Sequence, residues 1–370
     1  MKLSLETIPS VRVRKKRSAI GDGTFATHKW SLPIQYYIGP FLNYKAIYDA
    51  IGRIESKTCI RFQQTYVWLN GYQGFNFYKR QICDSPIGPG TRTKLNNIDL
   101  NNGCFNNPDI IEILIGKMLG LQYTHNRPDR DTFLDVNFNN LNTWDHYRFT
   151  KLEPNKAKTY GTPFDYGSGV MYRPKDFSRN GQNILTPKLH PLYIKMMGHQ
   201  RGLSFVDYKI LNDYYCDNRC QKPLISCQHD GYIDTTTCNK CHCPNGFGGN
   251  TCQGIQFSSK ECGETRVVLN ETRKSYINIL SKQNLCYVLV TSPPGTKMNI
   301  EAITVITEDA EFCTPRNSFE IKYRKSKDAT GICLCGNFKN FKLESEGNEI
   351  VLRFEGTASC HMAAFAITYK

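Results

Sequence analysis

The side chains best placed to do chemistry lie in IIEILIGKMLGLQYTHNRPDRD, residues 110–131. Apolar residues recur there at three- and four-residue spacing as far as Gly120, the pattern of a buried helix with a glycine stop. Two imidazoles four residues apart on such a helix would share one face and grip a divalent metal. No such pair is present. Glu112 and Lys117 are the ionisable groups of the helix, and His125 is the only imidazole nearby. A single imidazole makes a poor metal site, so His125 is read as a surface residue. His146, His190 and His199 have no partner at ligand spacing and are read as structural or exposed.

The cysteines form the other reactive set. Sixteen of them, an even number, in a chain of 370 residues point to disulfides and an oxidising compartment. A zinc ribbon would need two separated C-x-x-C pairs, and Cys238-x-x-Cys241 stands alone. The net charge of +14 is spread along the chain without an interleaved basic–aromatic motif. That argues against nucleic acid and fits acidic glycans or matrix better. No membrane-length apolar run is present, and MKLSLETIPSVRVRKKR at the start has no signal-peptide core. The start is therefore expected to be incomplete, with residues 1–17 a propeptide remnant or basic tail. Cleavage by a basic-residue convertase is expected after Arg17.

The length suffices for two or three domains, and the cysteines divide it into three zones. Four are widely spaced between Trp30 and Cys216, six are crowded between Cys220 and Cys252, and six more run from Cys262 to the end. The middle zone has too few large apolar residues for a core, so disulfides must hold it. The last zone reads as all-β, with strand-length segments such as CYVLVT, SFEIKYR and EIVLRFEG separated by Gly, Pro and Asn.

These zones resemble known modules. Cys241-His-Cys243, then Pro-Asn-Gly-Phe-Gly-Gly and Cys252, is similar to the end of an EGF-like module. Cys262-Gly263, Cys286-Tyr287, the Pro-Pro-Gly turn and the closing Ala-Phe-x-x-x-Tyr resemble a CUB domain. In the first zone, Arg127-Pro-Asp-Arg-Asp131 resembles the astacin-family continuation beyond the third zinc histidine. Cys83-Asp-Ser-Pro-Ile-Gly-Pro-Gly leading to Cys104, Asp165-Tyr-Gly-Ser168 before the Met-turn, and Trp30 with Pro33-Ile-Gln-Tyr-Tyr37 extend the resemblance.

A metzincin of this kind needs H-E-x-x-H on the helix and a third His beyond the Gly turn. The resemblance puts Ile113, Lys117 and Tyr123 at the three zinc-histidine positions and Leu114 at the catalytic Glu. It puts Thr124 at the following Glu, which in the family receives the mature N-terminal amine. Val170 takes the Met-turn Met, Met171 the next His, and Tyr172 the extra-ligand Tyr. Sliding the register by one puts Glu112 at the first ligand, Ile113 at the base and Gly116 at the second ligand, which gives no site either.

The resemblance further implies the pairs Cys59–Cys216, Cys83–Cys104, Cys220–Cys238, Cys227–Cys241, Cys243–Cys252 and Cys262–Cys286. Cys313 pairs with Cys333 or Cys335; Cys313–Cys335 is adopted, which leaves Cys333–Cys360. Other connectivities of the middle six stay open. Asn317 stands where a CUB calcium site usually has Asp, so no calcium site is assigned. Asn270-Glu-Thr272 is a glycosylation sequon.

The expected fold class is α+β. A two-lobed astacin-like domain (18–217) is followed by a disulfide-rich EGF-like module (218–253) and an all-β CUB sandwich (262–370). The expected function is a secreted, catalytically inactive homologue that binds an extracellular protein or matrix partner. It would carry no cofactor, although the family uses Zn²⁺, and would neither bind nucleic acid nor span a membrane. The alternatives are an active zinc endopeptidase with atypical ligands, and a non-functional relic.

Overall fold

The structure is a computed structural model that describes residues 29–90, 95–220, 225–280, 285–356, 358 and 360–370. Arg17 and the rest of the 1–17 segment lie outside the described residues. The first domain opens with strand β1 (Ile34–Ile38), helix α1 (Tyr44–Lys57), β2 (Phe62–Thr65), β3 (Gly74–Lys79), β4 (Asn97–Leu100) and helix α2 (Pro108–Met118). The strands form one sheet in the order β2-β1-β3-β4, with every pairing parallel.

Asn43 caps α1, accepting a hydrogen bond from Ala46 N at 3.2 Å. Ala46, Ile47, Ala50, Ile51 and Ile54 form its buried stripe. Asn107 caps α2 and Pro108 occupies its first turn, where the missing N–H costs nothing. The helix ends where the apolar periodicity predicts: Gly120 takes φ +110°, a region that side-chain-bearing residues rarely adopt. Ile113, Leu114 and Met118 of α2 share a core with α1, the sheet and helix α3 (Phe205–Tyr215). Cys59–Cys216 then ties the chain just beyond α1 to the end of α3.

The second half of this domain is mostly short 3-10 turns with one ribbon, β5 (Leu134–Val136) and β6 (Leu185–Pro187). Its core is continuous with that of the C-terminal sheets. Phe149, Phe164, Tyr166, Tyr193 and Met196 belong to one apolar cluster with Ile321, Ile332 and Phe354 of the C-terminal strands. Tyr166 stacks on Tyr193 at 4.3 Å, and the Tyr193 hydroxyl donates to Tyr323 Oη at 3.3 Å.

Residues 225–255 hold only two small ribbons, β7 (Tyr232–Ile233) with β8 (Cys241–His242) and β9 (Phe247–Gly248) with β10 (Gly254–Ile255). Disulfides Cys220–Cys238, Cys227–Cys241 and Cys243–Cys252 clamp this segment. The strands that follow are β11 (Arg266–Val268), β12 (Ser275–Leu280), β13 (Leu285–Thr291), β14 (Met298–Ile306), β15 (Phe319–Lys322), β16 (Ile332–Leu334), β17 (Asn337–Glu344), β18 (Glu349–Glu355) and β19 (Met362–Tyr369). They make two sheets, β11-β13-β18-β15-β16 and β12-β19-β14-β17. Cys262 is bonded to Cys286 and Cys313 to Cys335. Among the described residues no helix is long and apolar enough to cross a membrane.

One expected bridge is absent. Cys333 and Cys360 are both free thiols. Cys333 lies in the interior on β16, where its N–H meets Met196 Sδ at 3.4 Å, whereas Cys360 is exposed in the turn before β19. A disulfide needs its two Cα atoms within about 7 Å and converging side chains. One thiol is in the core and the other is in solvent.

Candidate functional site

Helix α2 carries Ile113, Leu114 and Lys117, all buried, and Gly120 returns the chain so that Tyr123 faces them. Lys117 is the only one with a charge. Its ammonium is ion-paired with Asp84 and sits 5.2 Å from the Tyr123 ring centroid. Asp84 follows Cys83, which is bonded to Cys104, and two further hydrogen bonds hold this strap across α2: Ser85 Oγ donates to Leu114 O (2.8 Å) and Gly88 N to Lys117 O (2.8 Å).

The space beyond Lys117 is filled by rings. Tyr123 lies 4.4 Å from Tyr172, Tyr172 4.6 Å from His125, and His125 5.3 Å from Phe149. Burial pushes the Tyr123 phenol up to about 12, and it pushes Tyr172 higher still, with the Tyr123 phenol beside it adding to the shift. Neither becomes a phenolate at neutral pH.

His125 is not at the surface. It is fully buried, and desolvation lowers it to about 3, so it remains a neutral imidazole. Its Nδ1 accepts from Tyr172 N at 3.4 Å, and among the described residues its Nε2 meets no hydrogen-bond geometry. Sequence spacing missed this burial because the cover comes from Phe149 and Tyr172, which are distant in the chain.

The charged run after the turn is structural. Arg127 grips Asp129 through Nε (2.9 Å) and Nη2 (2.8 Å) and also donates to Thr162 O and Pro163 O. Arg130 Nη1 donates to His125 O (2.9 Å) and to Phe149 O, joining the two turns that carry the stacked rings.

Glu112, the ligand candidate of the shifted register, faces the other way. It accepts from Arg53 Nη1 (3.0 Å), Leu203 N (3.0 Å) and the Tyr208 hydroxyl, which leaves it a role in packing. Gly116 packs against Leu121 and Leu203. His199 is buried with Nε2 2.8 Å from Gly167 O, His190 caps a turn by accepting from Leu192 N, and His146 lies against Phe138.

Val170 and Met171 are buried beneath the rings, and Thr124 N donates to Val170 O at 2.9 Å. The Thr124 hydroxyl donates to Ser168 Oγ (2.8 Å), and Ser168 Oγ in turn donates to Asp207 Oδ1 (2.8 Å). Asp207 also accepts from Gly169 N and Ser204 N through Oδ2, both at 2.9 Å, and burial raises it to about 6. This carboxylate behind Thr124 was not identified from the sequence. Its local signal is the capping box Ser204-x-x-Asp207 at the start of α3.

In the C-terminal sheets, Asn317 Oδ1 accepts from Thr314 N and Thr314 Oγ1, and Nδ2 donates to Phe312 O. Its amide closes the β-turn rather than facing a cation. Asn270 is exposed between β11 and β12.

Residues 23–216 match the family model for astacin, a peptidase family, and the chain belongs to the astacin family. It is similar to zinc metalloproteinase nas-34 of Caenorhabditis elegans, at 29% identity over 97% of this chain and 58% of that protein. It is also similar to zinc metalloproteinase dpy-31 of Haemonchus contortus, at 31% identity over 60% of this chain and 41% of that one. Among solved structures, high choriolytic enzyme 1, a hatching enzyme zinc-protease from Oryzias latipes, shares 25% identity with a TM-score of 0.46. That match covers 53% of this chain and 98% of the enzyme. The chain thus spans about half the length of the curated relatives it matches.

Membership of this family corrects the expectation that no cofactor belongs with the chain: its relatives are zinc metalloproteinases, and the family cofactor is zinc. The side chains at the inferred ligand positions do not fit that ion. Ile113 has no lone pair, Lys117 presents an ammonium held by Asp84, and Tyr123 stays protonated. No chemical step through the metal follows from these residues.

Proposed function

We propose that this chain is an extracellular, catalytically inactive member of the astacin family that acts by binding a protein or matrix partner. The observation that carries this reading is the floor of the cleft. Leu114 stands where hydrolysis needs a carboxylate base, and Lys117 is locked to Asp84 with the Tyr123 ring against it. An alkyl group cannot accept the proton of an attacking water, whatever ion is supplied. The seven disulfides support folding in an oxidising compartment.

In this reading residues 218–253 act as an EGF-like module and 262–370 as a CUB-type binding sandwich. Asn270 carries a glycan, and the basic segment is cut after Arg17 without activating anything. The test is casein hydrolysis by the purified full chain with zinc supplied. No cleavage is expected. Cleavage abolished by a chelator would overturn the proposal in favour of an active endopeptidase. The binding role predicts that cells secrete the chain folded and disulfide-bonded; retention as reduced, misfolded protein would make it a relic.

A further inference from the structure

The six-cysteine segment is seated on the C-terminal sheets by a small apolar contact and a sheltered ion pair. Phe247 and Cys252 form one buried cluster with Val351 of β18, and a Cβ at Gly246 would stand 2.7 Å from a Val351 methyl. Beside this contact Gln228–Gly231 make a turn, closed by Gly231 N donating to Gln228 O at 3.0 Å. Its central residues, His229 and Asp230, have φ +50° and +61°. That conformation costs free energy for any residue but glycine, although Asn, Asp and His tolerate it best.

The contacts that hold the turn there reach across the interface. Asp230 Oδ2 accepts from Lys327 N at 2.7 Å, and Asp230 O accepts from Lys209 Nζ at 2.8 Å. The His229 ring stacks on Phe247 at 4.0 Å, the two planes 14° apart. Its nitrogens have different partners. A carbonyl can only accept, so Nδ1, 2.7 Å from Cys252 O, carries a proton in the neutral ring as well. The proton that comes and goes is therefore the one on Nε2, which lies 3.4 Å from Glu349 Oε2 at the start of β18. Protonated, Nε2 attracts that carboxylate; deprotonated, it turns a lone pair toward it. The two side chains are 20% and 25% exposed, so salt and solvent screen the change weakly.

We infer that His229 and Glu349 form a proton-operated clamp, which fastens the six-cysteine segment to the C-terminal sheets in mild acid and loosens it as the pH rises to neutral and above. Glu349 raises the His229 imidazole above its ordinary 6.5, further than burial lowers it. Burial pushes Glu349 up, but the imidazolium outweighs it and holds the carboxyl below its ordinary 4.5. The clamp is thus fully charged between those two ordinary values, and its contribution is lost as the pH climbs through the raised histidine value. The other charges around the ring are Asp230 and Lys327, whose Nζ donates to Glu349 O at 2.9 Å. Farther out stand Lys209 with Asp328, and Lys297, Lys325 and Glu346 around the adjoining pocket. Burial brings the Lys327 ammonium down to about 8, so the clamp is read at pH 7.5 and below.

The experiment is amide hydrogen exchange of the full chain, read at the Lys327 amide, whose hydrogen bond to Asp230 crosses the interface, and referred to the amides of β14. After correction for intrinsic exchange rates, protection of the Lys327 amide relative to β14 should fall about two- to fivefold between pH 5.5 and 7.5, as expected for the loss of one ion pair. His229→Gln and Glu349→Gln should each abolish this fall. At pH 5.5 the double variant should lose no more protection than either single one, because both remove the same pair. Equal relative protection at the two pH values would overturn the proposal. A fall that survives in either variant, or single losses that simply add in the double one, would also overturn it.

Discussion

Two buried ionisable groups beside the cleft titrate with opposite consequences for stability. His125 falls from 6.5 to about 3 on folding, so between those values the unfolded chain holds the extra proton and stability rises with pH. Asp207 rises from 3.8 to about 6, so between those values the folded chain holds the extra proton and stability falls as pH rises. Each contributes a slope of up to about 1.4 kcal/mol per pH unit, and from about pH 4 to 6 they oppose one another. Relative to the unsubstituted chain, His125→Phe should therefore lose stability as pH is raised from 4 to 6, and Asp207→Asn should gain it. Urea unfolding at pH 4, 5, 6 and 7 measures both slopes; slopes of the same sign in the two variants would show that these groups do not titrate as their burial implies.

At the scale of elements, the run from Arg127 to Asp131 is a clamp. Arg130 is buried and joins the turn at His125 to the turn ending at Phe149, so that the aromatic rings stay stacked over α2. Arg130→Ala would leave both carbonyls buried without a donor, and a loss of about 2–4 kcal/mol is expected in urea denaturation. A loss below about 0.5 kcal/mol would mean that the stacking alone holds these turns. The β16 strand and the turn before β19 give a second element-level expectation. A thiol reagent should titrate Cys360 in the native chain and Cys333 only after unfolding, because burial raises the Cys333 thiol far above its ordinary range. Failure to titrate any thiol even after unfolding would restore the bridge between them.

Across the whole molecule, the second lobe of the first domain and the C-terminal sheets share one continuous apolar core. Tyr166, Tyr193 and Met196 are buried because the C-terminal strands cover them. A chain ending at Ile255 would expose that cluster. It is expected to bind a hydrophobic dye strongly and to aggregate, whereas the full chain should not. A soluble, cooperatively melting 29–255 fragment would mean that the lobe closes over its own core.

What the sequence determined by itself is mostly local. The three- and four-residue periodicity of Ile110–Leu119 marks α2, Gly120 marks its stop, and strand-length apolar runs mark the C-terminal sheets, because each follows from the repeat of a single element. The absence of an imidazole pair on α2 is equally plain, since it needs only spacing on one helix face. Tertiary structure decided whatever depended on neighbours distant in the chain. His125 is buried because Phe149 and Tyr172 close over it, and Glu112 turns from the cleft because Arg53, Leu203 and Tyr208 draw it away. Asp207 reaches Thr124 through Ser168, which lies 39 positions before Asp207 and 44 after Thr124 in the chain. Cys333 stays unpaired because its strand faces the core while Cys360 faces water. Periodicity reports which face of an element is apolar; only packing shows which side chain another part of the chain covers.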